Sequence, residues 1–123
     1  MRFVIVDDSR IERAKLRGIL ERYGHEVIGE GANGQEGINL VDSLKPDAVI
    51  LDVVMPKLSG DVAGFVVRER HPNIMMFFAT KNNQKAIQRT QEFLKAALVV
   101  KPYEDAFVKS AIESQEREHG FGV

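Results

Sequence analysis

The sequence predicts an α/β domain, a parallel sheet with helices on both faces, and three observations carry that prediction. Short apolar runs recur at near-regular spacing, and helical signals fill each interval between them. The chain has 123 residues, enough for one domain with its own core and crowded for two. Strands alternating with helices in this way must run parallel and be joined by right-handed crossovers.

The first strand is Phe3-Val4-Ile5-Val6, a continuous apolar run suited to burial on both sheet faces. Ser9-Arg10-Ile11-Glu12 then reads as a capping box, in which the serine accepts from the third helical N–H and the glutamate reaches back. Leu16, Ile19, Leu20 and Tyr23 follow with helical spacing, and Gly24 supplies the stop. The second strand, Val27-Ile28, is the thinnest and suits a sheet edge. Gly37, Leu40, Val41 and Leu44 form a weaker helical face ending before Pro46. Ala48-Val49-Ile50-Leu51 is the third strand, followed by a helix from near Asp61 with Val62, Phe65 and Val66 as its apolar face. That helix closes on Arg68, Arg70 and His71, cations where the helix dipole favours them. Ile74 to Ala79 is the fourth strand, and Asn82 or Asn83 caps a helix through Ile87, Thr90 and Leu94. Ala97-Leu98-Val99-Val100 is the fifth strand, and the last helix runs from about Glu104 through Phe107, Val108, Ala111 and Ile112. Glu116 to Val123 carries no packing pattern and reads as a fraying tail.

Composition narrows the function classes. Apolar residues make up 44%, which excludes wholesale disorder. Seventeen basic against 18 acidic residues give a net charge of −1, without the cationic excess of a nucleic-acid binder or a membrane-surface helix. Cysteine is absent, which removes disulfides, thiolate metal sites and cysteine nucleophiles and fits a reducing compartment. The apolar run at the N-terminus is too short for a signal-peptide core, and Ile74 to Ala79 is far short of bilayer length. A soluble, cytoplasmic domain is the expectation.

In open parallel sheets, ligands bind at the carboxyl ends of the strands. Asp7 and Asp8 follow the first run, Asp52 the third, Thr80 the fourth and Lys101 the fifth, so topology alone brings them to one edge. Clustered carboxylates repel one another unless a cation intervenes, and a hard divalent ion such as magnesium is the natural partner of oxygen donors. A carboxylate can itself accept a phosphoryl group as an acyl phosphate, with a metal and a lysine neutralising the transferred charge.

The motifs Val6-Asp7-Asp8-Ser9, Leu51-Asp52-Val53-Val54-Met55-Pro56 through Gly60, Thr80 and Lys101-Pro102 together resemble the receiver domain of bacterial response regulators, and the stand-alone chemotaxis (CheY-like) type in particular. The resemblance covers residues 1–118, leaving 119–123 as a C-terminal tail. It implies a flavodoxin-like (βα)5 fold with strand order 2-1-3-4-5, an order that the handed rules for doubly wound sheets accommodate. It further implies that Asp52 accepts a phosphoryl group from a histidine kinase, that Asp8, Asp52 and the Val54 carbonyl ligate Mg2+, and that Asp7 acts through water. Lys101 would contact the phosphoryl group, Thr80 would be the switch hydroxyl, and Pro102 would follow a cis peptide bond. Such a protein is a phosphoacceptor with self-catalysed transfer and autodephosphorylation rather than a conventional enzyme. It acts as a monomer, through a downstream protein, on the surface of the fourth helix, fifth strand and fifth helix. The flagellar motor switch or a phosphotransfer protein are the partners this implies, with neither nucleic acid nor membrane.

Two positions depart from the family pattern. Lys81 stands where alanine or glycine usually follows the switch hydroxyl, and either obstructs a phosphodonor or adds positive charge beside it. Leu98 replaces the usual aromatic residue, so the threonine–aromatic rearrangement lacks its aromatic partner. Val54 and Asn82 occupy variable positions associated with the lifetime of the phosphorylated form.

Other readings of the same residues remain. In isolation Asp7-Asp8 reads as a turn or helix-capping pair. A phosphorelay intermediary, or a receiver-fold interaction module that is weakly phosphorylated or not at all, is the alternative within the fold. A haloacid-dehalogenase-like hydrolase would need an Asp-x-Asp pair, and position 54 is valine. Gly29-Glu30-Gly31-Ala32-Asn33-Gly34 matches a dinucleotide fingerprint, but in the second βα unit of a chain too short for two mononucleotide-binding halves. These glycines are read as giving freedom to a β–α loop. His25, His71 and His119 have no ligand spacing.

Overall fold

Each apolar run becomes a strand and each interval a helix in the computed structural model, which describes residues 1–55, 57–81 and 85–119. The order is β1 (Arg2–Val6), α1 (Arg10–Arg22), β2 (Glu26–Gly31), α2 (Gly34–Leu44), β3 (Ala48–Asp52), α3 (Gly60–Arg70), β4 (Met75–Thr80), α4 (Lys85–Phe93), β5 (Ala97–Val100) and α5 (Asp105–Glu118). All strand pairs are parallel, in the order β2-β1-β3-β4-β5. The sheet therefore has the predicted flavodoxin-like topology. Its middle strands are buried along their whole length, β3 and β4 alike.

Alternation along the strands divides the core. Phe3, Ile5, Ile50 and Phe77 pack with Leu16, Ile19 and Leu20 of α1 and with Val108 and Ile112 of α5. Val4, Val6, Leu51 and Phe78 face the other way, against α2, α3 and Ile87 and Leu94. Among the described residues no helix is long and apolar enough to cross a membrane.

Several expectations need correction. The second strand is not thin: β2 is six residues long and includes Gly29 and Gly31, which were read as loop. Neither has a positive φ; they serve close packing instead, since a Cβ on Gly29 would stand 3.0 Å from Leu44 and one on Gly31 3.2 Å from the Gly37 nitrogen. Gly34 lies with its N–H donating to Leu58 O, 3.0 Å away, so protein fills the place of a nucleotide in the fingerprint reading. The capping box is half formed: Ser9 Oγ accepts from Glu12 N at 3.3 Å, but the Ser9 N–H donates to Asp7 Oδ1 rather than to Glu12. The buried face of α3 is Ala63, Gly64 and Val67, whereas Val62 and Phe65 are exposed. Small residues carry little hydropathy, yet they bring the helix down onto Phe78, whose ring would meet a Cβ at Gly64 at 2.8 Å. Phe107 is likewise 71% exposed rather than core. Gly24 ends α1 with φ +83°, as its type suggests. The caps proposed at Asn82 or Asn83, and residues 120–123 of the tail, lie outside the described residues.

The last helix does not fray at Glu116. It continues to Glu118, because Gln115 is buried and its Nε2 donates to Met76 O at 3.0 Å and Lys95 O at 3.2 Å. Lys95 belongs to a turn whose carbonyls are all claimed by long side chains. Arg68 Nε donates to Leu94 O at 2.9 Å, and Gln91 Nε2 donates to Ala96 O at 2.5 Å. Three elements thereby fix the α4–β5 turn and, with it, where β5 delivers Lys101. Gln115→Leu leaves two carbonyls without their side-chain donor and is expected to cost about 1–3 kcal/mol. An unchanged urea midpoint would remove Gln115 from this account.

Candidate functional site: an acidic cleft closed by a buried lysine

The carboxyl ends of the four inner and edge strands β1, β3, β4 and β5 meet in a cleft of about 430 Å³ lined by Asp7, Asp8, Asp52, Thr80 and Lys101. Asp7 leaves β1 with its N–H donating to Gly31 O of β2 at 3.0 Å, which fixes its direction. Asp52 is the last residue of β3, and its Oδ1 accepts from Val54 N at 3.3 Å. Thr80 ends β4, and its carbonyl accepts from Lys101 N at 2.8 Å. The Lys101–Pro102 peptide is cis. Gly60, the first residue of α3, packs so tightly under Asp52 that a Cβ there would collide with the Asp52 carbonyl. Only glycine allows α3 to start against the backbone of the strand that carries Asp52.

Lys101 is buried, and its Nζ lies 2.6 Å from Asp7 Oδ2 and 3.3 Å from Asp52 Oδ2. Burial by itself would lower the ammonium, but the hydrogen bond to Asp7 and the charge of Asp52 hold it above the ordinary lysine range. Asp52 is pushed up to about 6, first by burial and then by the Asp7 charge, with Lys101 and the Val54 N–H offsetting part of the rise. The Tyr103 phenol is pushed far up by burial and by the charges of Asp7, Asp52 and Glu12. Its ring lies 5.9 Å from Lys101 Nζ, on the flank of the cleft.

Oxygen atoms of Asp7, Asp8 and Asp52 lie within 4.8 Å of one another. Hard oxygen donors at that spacing fit a divalent cation of the magnesium type. The three are not equivalent. Both oxygens of Asp7 are engaged, one by Lys101 and the other by Ser9 N, while Asp8 is exposed. Val54 is also exposed and lines the cleft, as does Lys81 at the rim. Leu98 sits in β5 opposite Phe78, partly buried against the core and away from the carboxylates.

Sequence reading missed the supports around Asp7. Arg13 Nη1 donates to the Asp7 carbonyl at 2.5 Å, and Glu30 holds that arginine through Nε at 3.0 Å. Arg17 also reaches Glu30, at 2.6 Å. The only sequence signal was the spacing of Arg13 and Arg17 on one helical face, which a solvated face shows equally.

Keeping Asp52 ionised beside Asp7 costs folding free energy. A carboxylate whose folded pKa is raised from 3.8 to about 6 destabilises the fold as pH rises through that window. Asp52→Asn is therefore expected to raise the thermal midpoint of the magnesium-free protein above pH 6 and to lose that advantage below pH 4. A midpoint that falls at pH 7.5 would contradict the repulsion described.

Residues 3–113 match the response regulator receiver domain family. The chain is 33% identical to the chemotaxis protein CheY of Thermotoga maritima over 114 residues, covering 90% of this chain and 93% of that one. It is also 33% identical to the transcriptional regulatory protein PdtaR of Mycobacterium tuberculosis over 113 residues, covering 91% of this chain but 55% of that protein. Among solved structures, the CheX–CheY–BeF3–Mg2+ complex from Borrelia burgdorferi is similar with a TM-score of 0.88 and 25% identity, over 93% of this chain and 87% of that chain. The chain belongs to the response regulator receiver domain family.

Proposed function

We propose that this receiver is a phosphorylation switch of two-component signalling, with Asp52 as the acceptor of a phosphoryl group from a phosphohistidine of a histidine kinase. The observation that carries the reading is the buried Lys101 ammonium set between Asp7 and Asp52 in a cleft of three close carboxylates. An Asp52 oxygen attacks phosphorus; the new P–O bond forms as the P–N bond to the donor imidazole breaks, and the imidazole leaves with the bonding pair. Lys101 meets the charge on the phosphoryl oxygens, and the Thr80 hydroxyl donates to them once the group is in place. A carboxyl pushed up to about 6 is still mostly ionised at neutral pH, so the nucleophile is available. Asp8, Asp52 and the Val54 carbonyl would hold Mg2+, with Asp7 reached through water because Lys101 and Ser9 occupy its oxygens. When bound, the ion supplies charge neutralisation to the phosphoryl oxygens during transfer.

Phosphorylation adds charge at the carboxyl edge of the sheet and biases β4, α4 and β5. The downstream surface is α4–β5–α5, which carries Phe107 of α5, 71% exposed, and Val100 of β5, 50% exposed. The 93% coverage of a chemotaxis relative supports a messenger role in chemotaxis, in the cytoplasm. The match to about half of PdtaR, a transcriptional regulatory protein, supports the wider reading that receivers of this kind also serve other outputs; a phosphorelay intermediary is the second reading of this chain.

Incubation with magnesium and acetyl phosphate is expected to add the mass of one phosphoryl group to the parent protein and nothing to Asp52→Asn. No adduct on the parent would sink the switch reading and favour an unphosphorylated interaction module; equal adducts on both would remove Asp52 as the acceptor.

A further inference from the structure

The two adjacent aspartates of the cleft are held very unequally. Every polar atom of Asp7 is engaged. Its N–H donates to Gly31 O at 3.0 Å, Oδ1 accepts from Ser9 N at 2.9 Å and Oδ2 accepts from Lys101 Nζ at 2.6 Å, while its carbonyl accepts from Arg13 Nη1 at 2.5 Å. Asp8 is exposed, and its carboxylate makes no hydrogen bond or ion pair among the described residues. One of its oxygens nevertheless lies within 4.8 Å of oxygens of Asp7 and Asp52. With no side-chain partner to aim it, Asp8 takes its direction from the main chain. The Asp7 carbonyl belongs to the planar peptide that joins Asp7 to Asp8, so a bond that fixes this oxygen also fixes the plane from which Asp8 departs. The hydrogen bond from Arg13 therefore reaches Asp8 through the backbone. Arg13 is itself fixed: its side chain is only 17% exposed and its Nε donates to Glu30 Oε1 at 3.0 Å, while Arg17, one turn later on α1, holds the other Glu30 oxygen at 2.6 Å. Charge-assisted contacts of this kind keep their geometry well. Helix α1 and edge strand β2 together steady the peptide between the two aspartates.

We infer that Arg13 is a positioning residue of the cation site: by holding the Asp7 carbonyl it orients the Asp7–Asp8 peptide so that the Asp8 carboxylate meets the divalent ion. The inference rests on the cation site proposed above. Groups that fix the direction of a metal ligand raise affinity without touching the ion. Charge alone would act with the opposite sign, because a guanidinium close to a cation site repels the ion and its removal would tighten binding. A purely structural role, tying α1 to β2 through Glu30, is shared with Arg17, whose hydrogen bonds go to Glu30 and the Val27 carbonyl. Positioning, charge and structure thus make different demands on the two arginines.

Calorimetric titration of the full chain with Mg2+ alone, without any phosphodonor, separates them for the parent, Arg13→Met, Arg13→Lys, Arg17→Met and Asp8→Asn, each first shown by circular dichroism to be folded. Arg13→Met is expected to weaken magnesium about tenfold. Arg13→Lys keeps the charge, but a single ammonium does not replace a fork shared between the Asp7 carbonyl and Glu30, and its affinity is expected to fall as well. Arg17→Met, with the same loss of charge beside the same glutamate, is expected to bind as the parent does. Parent-like or tighter binding in Arg13→Met overturns the assignment; it leaves the cation site standing if Asp8→Asn has lost the ion, and overturns that site too if Asp8→Asn binds as the parent does. Equal weakening in Arg17→Met also overturns the assignment. Should Arg13→Met not fold, parent-like affinity in Arg13→Lys overturns it instead. A parent chain that takes up no magnesium overturns the inference and the cation site together.

Discussion

One buried ammonium organises the molecule's working edge. Lys101 Nζ sits 2.6 Å from Asp7 and 3.3 Å from Asp52, on the far side of the sheet sequence from both. Two carboxylates cannot be buried side by side without a counter-charge, and a buried lysine cannot stay charged without acceptors. Each of the three groups therefore makes the burial of the others tolerable, and the contact ties β5 to β1 and β3 across the intervening β4. The compensation is incomplete, because Asp52 remains pushed up to about 6. The proposed acceptor role at this edge would draw on that incomplete neutralisation of Asp52.

Everything that fixes Lys101 in space supports that arrangement. Its N–H is donated to Thr80, which registers the end of β5 against the end of β4. The turn that begins β5 is held by Arg68, Gln91 and Gln115 from three different helices. On the opposite flank, Arg13 and Glu30 brace the Asp7 carbonyl, and Gly60 lets α3 begin directly beneath Asp52. The fold's stability and its chemistry thus share residues, and substitutions in these supports are expected to move both.

Much of this was legible in the sequence, for physical reasons that also explain the misses. β1 and β3 emerge nearly at their true bounds because strands buried in a parallel sheet must be written as unbroken apolar runs. Asp7, Asp52, Thr80 and Lys101 follow from topology, since each ends or immediately succeeds a strand and parallel strands end together. The faces of β2 and α3 were harder to read because Gly29, Gly31, Ala63 and Gly64 pack by being small, and hydropathy is silent about that. Phe65 and Phe107 were assigned to the core on type alone, although both are exposed. Arg13 was beyond reach for another reason: its role depends on side-chain direction from a helix whose spacing gives only a face.

If the cleft binds magnesium as proposed, a proton on Asp52 and the ion compete for the same carboxylates. Calorimetry of magnesium binding at pH 6, repeated in two buffers of different ionisation enthalpy, counts the protons released as the ion enters. A fractional proton released per magnesium is expected near pH 6, as follows from an Asp52 carboxyl pushed up to about 6, and almost none at pH 8. Magnesium binding with no proton released at pH 6, or no binding at either pH, would contradict it.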